Sequence, residues 1–179
     1  MVAVDRFVAQ LAAARVGSTF NQYREGERAA LLRERLATYL ETRARASILL
    51  VGEAPGYRGA RVSGIPFTSE RQLTGTGPSE ATATIVHRVL AELELGEDVL
   101  LWNVVPTHPG TASANRPPTA AEIRAGCRFA EVLAEGRLAI AVGRVAERAL
   151  GVRGVRHPSR GGAARFRAEL CALVRGCPR

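Results

Sequence analysis

Apolar positions recur along this chain in two rhythms. In the opening segment MVAVDRFVAQLAAARV they fall at helical spacing, with Asp5 near the start, which predicts an amphipathic helix. Between Gly26 and Ala46, Leu32, Leu36, Tyr39 and Leu40 share one helical face and send arginines and glutamates outward. The rhythm then changes. Ser47 to Val51 is a short apolar run closed by Gly52 and the turn-forming pair Pro55-Gly56, as suits a buried strand. Val99 to Val105, Leu138 to Val142 and the weaker Val152 to Val155 repeat it, each followed by a helical stretch.

Helical patterns cover Glu80 to Leu95, Ala120 to Ala134, Arg144 to Leu150 and Ala163 to Val174. Thr119 and Glu122 form a capping box at the second of these. Strands alternating with helices predict an α/β fold: three layers, α/β/α, around a central, mainly parallel four-stranded sheet. With 179 residues, 46% of them hydrophobic, one domain over 1–179 is expected, residues 1–46 being an N-terminal helical part packed on it. Ala54 to Ser79 and Pro106 to Pro118 read as Gly/Pro/Ser-rich loops, and loops this long in a small domain are usually functional.

No apolar run approaches the roughly 18 to 20 residues of a membrane span, and the N-terminus lacks the layout of an export signal, so no membrane partner and a cytoplasmic location are expected. The three cysteines, Cys127, Cys171 and Cys177, include no C-x-x-C pair and suggest neither a disulfide framework nor a metal site. The net charge of +8 points to a polyanion, with nucleic acid foremost. All 25 basic residues are arginine, which fits genome composition as readily as a need for bidentate phosphate contacts.

In open α/β sheets ligands bind beyond the carboxyl ends of the strands. Four segments fall there: GEAPG, NVVPTHP, VGR and RHPSRGG. Glu53, Asn103, His108 and His157 lie in them, so one cleft can gather all four without special folding assumptions.

The order and spacing of these segments resemble the uracil-DNA glycosylase superfamily, above all its branches with a GEAPG first motif (family 4/5-like). VGEAPGYRGARVSGIPFTSERQL is similar to the first motif and its G-x-P-F segment, and WNVVPTHPGTASANRPPTAAEIRAGC to the asparagine motif and following helix start. VGRVAERALG and RHPS supply the later two, so the likeness covers most of Ile48 to Gly162. It implies hydrolysis of the N-glycosidic bond of a flipped uracil, from single- or double-stranded DNA, leaving an abasic site and free uracil. A monomer is expected.

On this resemblance Gly52, Gly56, Phe67 and Asn103 bind uracil. Phe67 would stack on the base, and the Asn103 amide offers the donor and acceptor that complement O4 and N3–H. Cytosine has the opposite polarity at that edge. His157 would donate to O2 as negative charge develops on the departing base. Ser159, Arg160, Gly161 and Arg116 would meet DNA, Arg160 either entering the groove or holding a phosphate. Glu53 would position water or favour the oxocarbenium cation, with Ala54 at the place of the water-activating aspartate of other branches. Gly56 takes the place of the tyrosine that blocks the thymine methyl in GQDPY enzymes, with Tyr57 beside it. His108 is secondary, touching sugar or phosphate or else facing solvent. His87, mid-helix between Val86 and Val89, reads as a surface or satisfied histidine.

Many GEAPG enzymes hold an iron-sulfur cluster on four cysteines. Here Cys127 alone matches one of those positions, and Thr107 replaces another, so no cluster and no other cofactor is expected. Two competing readings remain: a nucleotide hydrolase, opposed by the absence of a G-x-x-x-x-G-K-[ST] loop or an acidic Mg²⁺ cluster, and a non-catalytic binder of single-stranded DNA.

Overall fold

The computed structural model describes residues 3–176. Four strands, β1 (Ile48–Gly52), β2 (Val99–Asn103), β3 (Leu138–Val142) and β4 (Gly154–Val155), form one parallel sheet in the order β2-β1-β3-β4. Among the described residues eight helices surround it: α1 (Val4–Ala13), α2 (Ala29–Thr42), α3 (Ala60–Ser63), α4 (Glu70–Thr74), α5 (Ala81–Glu92), α6 (Ala120–Ala134), α7 (Arg144–Leu150) and α8 (Ala163–Arg175). The expected three-layer α/β fold is the observed one.

Alternation along the strands sorts the core into two layers. Leu49, Val51, Leu100, Trp102 and Ala141 point to the face covered by α1, α2, α6 and α7, where Phe7 meets Trp102 and Phe129 edge-on at 5.5 and 5.6 Å between ring centres. Ile48, Leu50, Val99, Leu101, Ile140 and Val142 point to α5 and α8, against Val86, Val89, Phe166 and Leu170. Both faces being buried explains why β1 and β2 read as unbroken apolar runs. At the free edge of β2 the Leu101 N–H donates to the Tyr39 hydroxyl oxygen at 2.7 Å, so a helix residue satisfies a strand donor.

Several boundaries differ from the sequence expectation. β2 stops at Asn103 rather than Val105, although Val104 and Val105 still donate to Gly52 O and Glu53 O at 2.9 and 3.0 Å. The chain there follows the exit of β1 and not a regular strand. β4 is two residues long, and α2 begins at Ala29 because Gly26 is left-handed (φ +85). The segment expected as a loop from Ala54 to Ser79 contains α3 and α4; the Ser69–Gln72 capping box starts α4. The Thr119–Glu122 capping box is present, with Thr119 N–H donating to Glu122 at 2.8 Å and Glu122 N–H to Thr119 at 3.2 Å. Among the described residues no helix is long and apolar enough to cross a membrane. Cys127 is buried and reduced and Cys171 half-buried, while Cys177 lies outside the described residues.

Candidate active site

The parallel register pairs Gly52 with Asn103, which brings the exits of β1 and β2 to one rim of the sheet. A side chain at Gly52 has no room: a Cβ there would stand 2.9 Å from Asn103 Oδ1 and collide with the Phe67 ring. The glycine therefore lets the aromatic ring and the amide meet over the strand end. Phe67 reaches this place from a turn in which it is itself left-handed (φ +52), a conformation a bulky side chain rarely adopts. The turn is tied from both sides. Ser63 Oγ donates to Thr68 O at 2.6 Å, and His87 on α5 bonds Thr68 Oγ1 through Nε2 at 3.0 Å. Because the Thr68 hydroxyl donates to Pro66 O, it accepts from His87. His87 is thus a satisfied, half-buried histidine whose pKa burial lowers below 6.5.

Across the rim, β3 is followed by Gly143 (φ +87), where a Cβ would be 3.3 Å from the Cβ of His157. Ser159 holds the His157 ring: its N–H donates to Nδ1 at 3.2 Å and its hydroxyl lies 2.8 Å from the same atom. Nδ1 is an acceptor, so the proton of the neutral ring sits on Nε2. Burial, then the neighbouring Arg156, pushes the His157 pKa below 6.5 and favours that neutral form. The site thus presents a fixed neutral N–H donor.

Residues 40–173 match the family described as the uracil DNA glycosylase superfamily. The chain belongs to that superfamily. It is 35% identical over 135 aligned positions to a Type-5 uracil-DNA glycosylase of Thermus thermophilus, a match taking in 66% of this chain and 57% of that protein. A crystal structure of wild-type Pedobacter heparinus SMUG2 shares the fold at a TM-score of 0.70, covering 97% of both chains at 12% identity.

In this superfamily member the remaining expected residues divide. Glu53 leaves β1 half-buried, and burial raises its carboxyl above the usual carboxylate range. Asn103 is buried on the strand end beside the Phe67 ring. Beyond the strand, Gly56 packs against the Glu80 carboxylate and the Tyr57 N–H donates to Asn115 Oδ1 at 2.8 Å. Arg160 (φ +53) and Gly161 (φ +76) are exposed at the centre of a turn closed by Gly162 N–H to Ser159 O at 3.1 Å. Positive φ at both central positions is the type I′ arrangement, and it projects Arg160 from the rim beside His157.

His108 and Arg116 have other tasks than the sequence suggested. His108 does not face solvent: it is fully buried, with Nδ1 2.8 Å from Pro55 O and Nε2 2.8 Å from Thr111 O, tying the first motif to the asparagine loop. Arg116, expected to meet DNA, is committed to Glu122, with Nη2–Oε1 at 2.6 Å and Nη1–Oε2 at 2.8 Å. That pairing holds the Glu122 carboxyl down at about 2. Glu80 was not anticipated from the sequence; its half-buried carboxylate rests on Gly56 and Gly59. Its signal is a carboxylate at a helix start with no basic residue in the adjoining turn. Among the described residues no group of three His, Cys, Asp or Glu is placed to hold a metal ion. A cavity of about 840 Å³ lies near the opposite ends of the strands, lined by Leu40, Ser47, Leu100, Leu133 and Arg137, and contains none of the site residues.

Proposed function

We propose that this protein flips uracil out of DNA and hydrolyses its N-glycosidic bond, releasing free uracil and leaving an abasic site. The observation that carries the reading is the His157–Ser159 arrangement facing the Phe67–Asn103 pair across one strand rim. Phe67 stacks on the extruded base, a contact worth about 1 to 3 kcal/mol. Asn103 reads O4 and N3–H with the donor and acceptor of its buried amide. Cytosine would leave those groups buried without partners, a penalty large enough for strong discrimination.

As C1′ separates from N1, negative charge collects on O2 and positive charge on the sugar. His157 Nε2–H meets the first. Removing one such donor in other enzymes costs about 2.7 to 4 kcal/mol of transition-state stabilisation. Glu53, the carboxylate of the first motif, orients water or favours the oxocarbenium cation there, and burial raises its pKa above the usual carboxylate range. Arg160 and the Ser159–Gly161 turn hold backbone phosphate. The enzyme works as a monomer, without a cofactor, in the cytoplasm.

The test is incubation with single- and double-stranded oligonucleotides carrying one uracil, with chromatographic detection of the released base. Free uracil is expected from the uracil strands and no cytosine from matched controls. Absence of uracil from both substrates would refute the reading.

A further inference from the structure

Phe67 sits on a turn that its own side chain disfavours. Thr68 N–H donates to Ile65 O at 3.2 Å, closing a turn with Pro66 and Phe67 at its centre. Proline fixes a negative φ at the first central position, and Phe67 has φ +52 at the second. That is the type II arrangement, whose second central position is ordinarily glycine. Glycine would leave the rim without a ring. Phenylalanine supplies the ring but favours the type I form, reached when the 66–67 peptide rotates and φ of Phe67 becomes negative. The ring would then leave the end of β1.

Side-chain bonds to the turn oppose that rotation. Ser63, fully buried, accepts the Ile65 N–H at 3.1 Å and donates to Thr68 O at 2.6 Å, both within the segment. Another tie comes from outside it. His87 Nε2 on α5 lies 3.0 Å from Thr68 Oγ1, and the Thr68 hydroxyl donates to Pro66 O at 3.1 Å. The relay from His87 through Thr68 thus ends on the carbonyl of the peptide that would have to rotate. Burial lowers the pKa of the His87 ring, and the Phe67 carbonyl beside it opposes that shift in part.

We propose that His87 is a positioning residue for base stacking: by donating to Thr68 it aims that hydroxyl at Pro66 O, locks the 66–67 peptide and holds the Phe67 ring over the end of β1 before a base arrives. The inference rests on the glycosylase reading, in which Phe67 stacks on the extruded uracil. Without the relay, only the fraction of molecules whose turn is in the type II form can take the base, and the rate of release falls by that fraction.

The test measures single-turnover release of uracil from a single-stranded oligonucleotide at saturating enzyme. His87→Leu is expected to be slower than the parent by about tenfold, as for a turn in the type II form about a tenth of the time. Thr68→Val, which removes the hydroxyl, should match it. In His87→Gln the amide nitrogen replaces Nε2 as donor, and the rate should return to within about threefold of the parent. In a Phe67→Ala background there is no ring to aim, and adding His87→Leu should change the rate by less than about twofold. Loss of folded protein would lower the rate in both backgrounds alike, so the cycle separates positioning from stability. A parent-like rate for His87→Leu, no recovery in His87→Gln, or an equal loss in both backgrounds overturns the proposal. A parent that releases no uracil instead overturns the glycosylase reading itself.

Discussion

His157 shows how a side chain acquires a defined chemical role from its neighbours. An isolated histidine exchanges its proton between two nitrogens and titrates near 6.5. Here burial penalises the charge, the neighbouring Arg156 adds to that, and the Ser159 N–H donates to Nδ1 and so selects the tautomer. The folded pKa therefore lies below 6.5, and the Nε2–H form persists as pH falls past that value. ¹⁵N NMR of the imidazole is expected to show an Nε2–H tautomer at pH 7 and a titration midpoint below 6.5. A midpoint at or above 6.5 would remove the physical basis for a neutral donor. The motif letters HPS placed this histidine at a strand exit; the serine's grip on Nδ1 depends on a turn geometry that letters do not specify.

At the scale of elements, the start of α6 is a junction rather than a surface. Glu122 is almost fully buried and receives Arg116, the Thr119 N–H and the Ser18 N–H, the last at 3.3 Å from the N-terminal arm. The capping box was legible because both partners lie three residues apart. The Arg116 pairing and the Ser18 contact were not, because the second spans 104 positions. Arg116→Gln should destabilise the protein by about 2 to 3 kcal/mol, less than a fully buried pair because the guanidinium edge meets water. The sign of its pH dependence follows from Glu122. Its folded pKa, about 2, is depressed from 4.5, so the stabilisation is complete above 4.5 and is lost as pH falls toward 2. Thermal melts should show a gap between parent and variant that is wide at pH 7 and narrower at pH 3. A gap independent of pH would show that the pair contributes no linked stability.

For the whole molecule, the sheet was readable because strands buried on both faces are written as unbroken apolar runs, and the strand-exit rule then located the rim. Helices α3 and α4 escaped because four- and five-residue helices among glycines carry no periodicity. Charge was legible only in sum. The net +8 predicts a polyanion, but the structure divides the arginines into those tied internally, such as Arg35 with Glu70 at 2.8 Å, and exposed ones such as Arg160 at the rim. DNA affinity measured against salt should separate them. Arg160→Ser is expected to lower the slope of log K against log salt by about 0.7 on single strands, one phosphate contact, whereas Arg116→Gln should leave the slope unchanged. Equal slopes for parent and Arg160→Ser would take Arg160 out of the phosphate interface.

A base pocket and a neutral donor share one strand rim, and single-turnover kinetics of uracil release tests their joint action most directly. His157→Ala is expected to slow the chemical step by about 10²- to 10³-fold while DNA affinity stays within about twofold, because the lost bond forms fully only as charge reaches O2. A variant that releases uracil at the parent rate, or whose loss lies entirely in DNA binding, would contradict it.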